Sequence, residues 1–337
     1  PTGPTGPTGP SGVAGAIDDL SDAITTATSN IGLGSGALDS LTASSGNWNT
    51  AVGINAGTSV TTGDANVFMG LNAGQYISTG GSNIGIGKSA LERGATENNN
   101  LAIGPQAMGG AYGQSATGAY NVAIGSDTLR YGAQVNGGSN IGIGQKALYG
   151  SNGSSSGANY NIGIGNESLE AITTGDYNIG LGYKSLEANT TGLRNIAIGA
   201  QALDAADTES DNIAIGYNSL GGSIAGGASN VAVGNYTGDA ITSASQSTLM
   251  GYFAGTSITT GNFNTGLGAN ALYSVTTGAN NVAVGYEAGY GFDTESHNVA
   301  VGYRAFRQQS GTHSVAIGAF SQYGAGASNV GDYNVSV

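Results

Sequence analysis

The sequence predicts an all-β protein, a parallel β-solenoid with coils of about 17 residues, and three observations predict it. A phrase of the form Asn, apolar, small, apolar, Gly recurs 17 times between Asn30 and Gly318, and 10 of the 16 intervals between its glycines are 17 residues long. A unit this short buries its apolar residues only against its neighbours, so a fixed short period means a stack. Composition agrees: 62 of 337 residues are Gly and only 9% are charged, outside the ordinary globular range, yet the aliphatic residues are regularly spaced rather than scattered. The unit is too short for a strand, a covering helix and two connections, and Gly every few residues disfavours helix interiors.

The phrase itself reads as a strand. Its first and third apolar positions, such as Ile84 and Ile86 or Val299 and Val301, flank a residue that is usually Gly or Ala, such as Gly85 or Ala300. In an extended chain these two sets point to opposite faces. The expectation is that the aliphatic pair faces inward as a buried ladder, and that the Gly/Ala ridge forms a bare outer face on which three identical chains approach closely. Three residues after each repeat Gly stands Ala, Ser or Thr, as at Ala56, Ser168 and Thr237, a corner with little room. With strands ~4.8 Å apart, 17 coils make a rod about 80 Å long.

Taken in order, residues 1–15 (PTGPTGPTGPSGVAG) carry Gly at every third position and four of the five prolines. Gly is required there where three polyproline II chains share one axis, so the leader reads as collagen-like and the chain as a homotrimer, in preference to a flexible Pro/Gly linker. Residues 16–29 place Ile17, Leu20 and Ile24 after Val13 at heptad-like spacing, with Asp18, Asp19 and Asp22 on the other side. That predicts a short helical neck, or else a cap over the first coil. Residues 30–320 are the coils, and 321–337 read as a C-terminal cap.

Within the coils the Asn column includes Asn83, Asn100, Asn178, Asn195, Asn212, Asn281 and Asn298, with Ser247 and Ser314 as the exceptions. Stacked amides can hydrogen-bond along the axis, so this column is expected to be structural. Thr-Thr-Gly recurs at 61–63, 173–175, 190–192, 259–261 and 276–278, a corner motif. Three successive intervals, between Gly104 and Gly165, are lengthened to 21, 19 and 21 residues. Insertions in adjacent coils map to one side of a solenoid, forming a single bulge that serves binding or reflects tolerated loop drift. It would carry Tyr112, Tyr120, Tyr131, Tyr149 and Tyr160, the candidate receptor contacts. A second Tyr set directly follows the repeat Gly at 183, 217, 252, 286 and 303, suited to stacking on sugar rings or to packing between coils.

Chemistry finds little footing. His297 and His313 are isolated in the sequence and outside any metal-ligand spacing. Acidic residues do not recur at one coil position, and the calcium β-roll pattern is absent. Gly85–Ala90 (GIGKSA) lacks the spacing of a phosphate loop and recurs as GIGQKA and GIGNES. No catalytic residue, cofactor or metal is nominated, and an enzyme is not expected. The formal charge of −13 with 8 Lys and Arg disfavours nucleic acid, and no apolar run is long enough to insert in a membrane. Zero Cys excludes a disulfide framework.

Phrases such as NVAIG, NIAIG and SVAIG, one coil apart, resemble the head domain of trimeric autotransporter adhesins, and Asn49–Asn66 (NTAVGINAGTSVTTGDAN) resembles the repeats of bacteriophage tail-fibre and other virion-fibre proteins. The resemblance implies a left-handed β-roll with three chains side by side, and in some fibres a C-terminal chaperone that removes itself. The collagen-like leader fits phage fibres better than autotransporters. The expected function is a structural and adhesive fibre at the virion surface, joined at its N-terminus to other virion or surface-assembly proteins and contacting a host polysaccharide or protein receptor. The alternatives are a bacterial cell-surface or secreted adhesin or filament subunit, and an ice-binding solenoid.

Overall fold

The computed structural model describes residues 23–26, 29–41, 45–94, 96, 98–110, 118–131, 137–150, 157–222, 225–307, 311–323 and 333–337. The collagen-like leader lies outside the described residues. The protein is a parallel β-solenoid whose coils each contribute one short strand to a single 19-stranded sheet. From Asn30–Leu33 to Val315–Ile317 each strand pairs in parallel with the next one in sequence, and the register never slips: Ile196, Ala197 and Ile198 lie over Ile213, Ala214 and Ile215. Among the described residues there is no helix.

The faces of the strand are the reverse of the sequence expectation. The middle residue points inward, as Ala102, Ala123, Ala197 and Ala214 are all fully buried, while the flanking aliphatic residues point outward and are partly exposed. Ile84, for instance, keeps 38% of its surface. The reason is room. Most coils send a large side chain inward four residues after the repeat Gly, such as Leu91, Leu148 or Leu203, next to a buried Ala, Ser or Thr three residues after it. Several send a second one seven residues after it, such as Ile77, Ile172, Ile258 or Phe292, the last of which fills the place left by Gly289. A narrow coil filled by Leu leaves space only for Gly or Ala across from it. The core is therefore a column of mostly Leu against small strand residues, joined in several coils by a second large side chain such as Val60, Ile241 or Val275.

Two exceptions obey the same volume rule. Phe68 and Leu249 occupy the inward strand position, and in both cases the residue four after the Gly, in the same and in the preceding coil, is Gly: Gly74 and Gly57 for Phe68, Gly255 and Gly238 for Leu249.

The repeat Gly is required by the backbone. Gly199 has φ +135°, and a Cβ there would lie 2.3 Å from the carbonyl oxygen of Gly216 in the next coil. No L side chain fits that approach.

The Asn column forms an axial hydrogen-bonded ladder. Asn195 donates from its backbone N–H to Asn178 Oδ1 at 2.9 Å, and Asn212 to Asn195 Oδ1 at 3.0 Å. The side-chain amide points the other way, Asn178 Nδ2 donating to the Gly192 carbonyl at 2.8 Å and Asn195 Nδ2 to the Glu209 carbonyl at 2.7 Å. The same pattern links Asn100 to Asn83 and Asn298 to Asn281, each at 3.0 Å. These amides are buried, so each one satisfies corner groups that water cannot reach.

At the N-terminal end, Ala23–Thr26 is a strand, paired antiparallel to Asn30–Leu33, and so is not part of a helical neck. An extended segment can satisfy the open edge of the first coil's strand, which a helix cannot. The rest of the proposed neck lies outside the described residues, apart from Ser29. At the other end Val335–Ser336 pairs in parallel with Val315–Ile317, and the Asn334 N–H donates to Ser314 Oγ at 3.2 Å. Asn334-Val335-Ser336-Val337 thus continues the stack with the same Asn, apolar, small, apolar order as the other rungs.

Candidate functional site

Three surfaces distinguish the rod. The first is the outward strand face, where two aliphatic columns run the length of the stack, interrupted only by Thr50, Thr248 and Thr265. At about 80 Å by about 10 Å this stripe is on the order of 800 Å², beyond what a monomeric soluble protein normally exposes.

The second surface surrounds the lengthened coils. Tyr112 lies outside the described residues. The other four tyrosines fall into two groups. Tyr131 and Tyr149 enter their loops from the turn that follows the core Leu, and meet edge to face with centroids 5.0 Å apart. Arg130 and Lys146 lie over these two rings. Tyr120 and Tyr160 leave their loops immediately before the ladder Asn, and Tyr120 is 65% exposed. Tyr160 stacks on Tyr177 of the next coil at 4.9 Å, a residue outside the candidate set. Among the described residues no ring contact joins the two groups. The residue before the ladder Asn has positive φ in coil after coil, including Tyr120, Tyr160 and Tyr177, which throws its side chain off the corner into solvent. His297 and His313 share this column. Isolated in sequence, they stack at 4.6 Å, and His313 stacks on Tyr333 at 5.0 Å.

The third surface is the turn that follows the repeat Gly. Seven of the eight cations sit on it, Arg194 excepted. Six of the seven pair with acids, among them Lys146 with Glu170 at 3.0 Å, Lys184 with Glu187 at 2.8 Å and Glu167 at 3.4 Å, and Arg304 and Arg307 with Glu287 at 2.9 and 2.5 Å. These hydrogen bonds raise the pKa of Lys146 and Lys184. Glu167, Glu170 and Glu187 offer carboxylate oxygens within 4.8 Å of one another, a cluster the sequence did not reveal because its members sit at different coil positions. The two ammonium groups already occupy its acceptor sites, so it reads as an ion-pair network.

Asp204 and Asp239 are pushed up in pKa, first by burial. Towards the C-terminal end the same turn is lined with tyrosines at the positions one, two and five after the Gly. The first Thr of the Thr-Thr-Gly corners is tied along the stack, Thr61, Thr173, Thr259 and Thr276 donating their hydroxyls to carbonyl oxygens of the next coil, while the second, as at Thr62, Thr174, Thr260 and Thr277, is exposed. No model of a known protein family matches the chain, and no curated protein matches it either.

Proposed function

We propose that the chain is the rod of a homotrimeric adhesive fibre, most simply a bacteriophage tail or virion fibre that contacts a host-surface glycan. One observation carries the reading, the outward aliphatic stripe. Fully burying such a side chain is worth about 1.5–3 kcal/mol, and roughly a third of that remains to be gained at each position. Over roughly thirty positions per chain this is on the order of 20 kcal/mol, more than the ~4–15 kcal/mol that association costs.

The stripe therefore replaces the Gly/Ala ridge as the face on which the chains meet. Three copies are favoured over two because the leader has Gly at every third position. A left-handed coil is part of the same proposal. Three parallel rods then present weak sites together, and adhesion arises from multivalency. Sedimentation equilibrium of the full chain tests the proposal: the expected mass is about three times 33.0 kDa, and a monomer would refute it.

A further inference from the structure

We infer that the glycan-binding surface is a continuous aromatic path across the C-terminal third of the rod, and that it takes an uncharged saccharide chain lying along the axis. This rests on the adhesive reading above, but moves the contact away from the lengthened coils.

Ring contacts connect five successive coils without a gap. Tyr217 meets Tyr236 at 5.3 Å, Tyr236 stacks on Phe253 at 5.0 Å, Phe253 meets Tyr273 at 6.1 Å, and Tyr273 stacks on Tyr290 at 4.9 Å. Alongside, Tyr286 stacks on Tyr303 at 5.5 Å, and Tyr303 meets Phe320 at 5.2 Å. Arg307 continues the first run, lying between Tyr290, 5.3 Å from its centroid, and Tyr323, 5.9 Å from its centroid. The first coils have no counterpart: the positions after their glycines hold Ser35, Ile54, Leu71 and Lys88.

The chemistry of the path selects its occupant. Where the rings stack on one another, as Tyr273 on Tyr290 and Tyr286 on Tyr303, their apolar edges and hydroxyl tips are what a pyranose chain meets with its C–H face and hydroxyl rim. Tyr252, which meets Phe253 of the first run at 4.2 Å, remains 52% exposed, and Tyr286 and Tyr303 of the second 40% and 44%, so the path is wet. Its ring spacing follows the coil rise, which is comparable to the length of one sugar unit, so one chain can meet several rings at once. Asn235 and Asn270 supply planar hydrogen-bonding groups beside the rings.

Charge excludes the other common ligands. Arg304 and Arg307 share the single carboxylate of Glu287, and the carboxylate of Asp239 beside Tyr236 balances the remaining positive charge of the path, so its net charge gives a polyanion or an anionic membrane no attraction. A second copy of the chain is better served by the aliphatic stripe, which has no polar tips to desolvate.

The test is a printed array of microbial polysaccharides, neutral and anionic, probed with labelled full-length protein. Three versions are compared: wild type, the strip variant Y252A/Y286A/Y303A, and the loop variant Y120A/Y131A/Y149A/Y160A. Circular dichroism and sedimentation are recorded for each. The expected result is binding of neutral glycans by wild type and the loop variant, and at least a tenfold loss for the folded, same-mass strip variant. Equal binding by the strip variant, preference for anionic glycans, or no glycan bound by any version overturns the inference. So does a change of mass in the strip variant, which would make the path an interface between copies. A folded trimer that binds through the loops would sink this inference alone, whereas a monomer that binds through the path would sink the fibre and leave the path.

Discussion

The ring of Phe68 occupies the space that a side chain on Gly74 would need, since a Cβ there would lie 2.3 Å from Phe68 Cδ1. The positive φ of Gly74, +61°, is not what demands glycine. Leu91 and Leu203 stand in the same column at φ 50° and 51°. The larger demand comes from the ring, so the two positions should be coupled. Gly74→Ala is expected to cost about 2–4 kcal/mol in wild type, from overpacking and the left-handed backbone together. In a Phe68→Ala background the same change should cost about 1 kcal/mol or less. A double-mutant cycle from denaturant melts measures this, and a coupling energy near zero would contradict the volume rule.

The strand faces can be separated by paired substitutions in one coil. Ile213 and Ile215 point out, and Ala214 points in. Ile213→Asp with Ile215→Asp should leave the coils folded by circular dichroism while lowering the sedimenting mass to one chain. Ala214→Asp should instead destabilise the coil by several kcal/mol, because it buries an unpaired charge. If the double substitution unfolded the chain and the Ala214 variant merely dissociated it, the two faces would have to be exchanged.

These faces show how far the sequence could be read. Period and alternation are visible in the string, so the solenoid, the coil length and the strand at Asn-x-x-x-Gly were legible. Alternation is blind to sign, however, and the usual prior that large aliphatic residues go inside gave the wrong one. The contradicting signal was present but sparse. At Phe68 and Leu249 the small position is bulky, and there two successive residues of the column opposite are Gly, Gly57 with Gly74 and Gly238 with Gly255, whereas Gly289 stands singly and faces Phe292. Such compensation has meaning only if the two columns share an interior. The aromatic path was half legible: the tyrosines after the repeat Gly form a visible column, but their partners Tyr236, Phe253, Tyr273 and Tyr290 sit at other coil positions. The His297–His313 stack was hidden likewise, because the 16-residue interval before Gly318 disguises their equivalence.

Asn212 gives a graded test of the ladder. Its Oδ1 accepts from the Asn230 N–H at 2.9 Å, and its Nδ2 donates to the Gly227 carbonyl at 3.1 Å, all at buried positions. Asn212→Ala leaves both partners unsatisfied and should cost about 2–4 kcal/mol. Asn212→Ser should cost less, since Ser247 in the same column accepts from the Asn264 N–H at 3.3 Å. Thermal melts should order the variants wild type, Ser, Ala from most to least stable. Equal stability of Ala and wild type would remove the ladder from the account of the fold.

The C-terminal coils should also respond to pH through Glu287. Burial acts to raise its pKa, but hydrogen bonds from Tyr286 and Arg307 and the charges of Arg307 and Arg304 outweigh that, and the net shift is downward. A carboxyl whose folded pKa is depressed contributes stability above its unfolded pKa of ~4.3 and loses it as pH falls through the folded value. Glu287→Gln should therefore cost about 1–3 kcal/mol at neutral pH, where both guanidiniums lose their carboxylate. The difference from wild type should shrink and vanish on acidification below the ordinary carboxylate range. Asp204 runs the other way: burial raises its pKa, so it opposes folding while charged and the opposition is relieved as pH falls through the raised value. Asp204→Asn should thus be neutral or stabilising at pH 7, and its advantage should fade in acid. Melting temperatures of the three proteins between pH 3 and 8 decide the matter, and a Glu287→Gln difference that grew in acid would reverse the assigned sign.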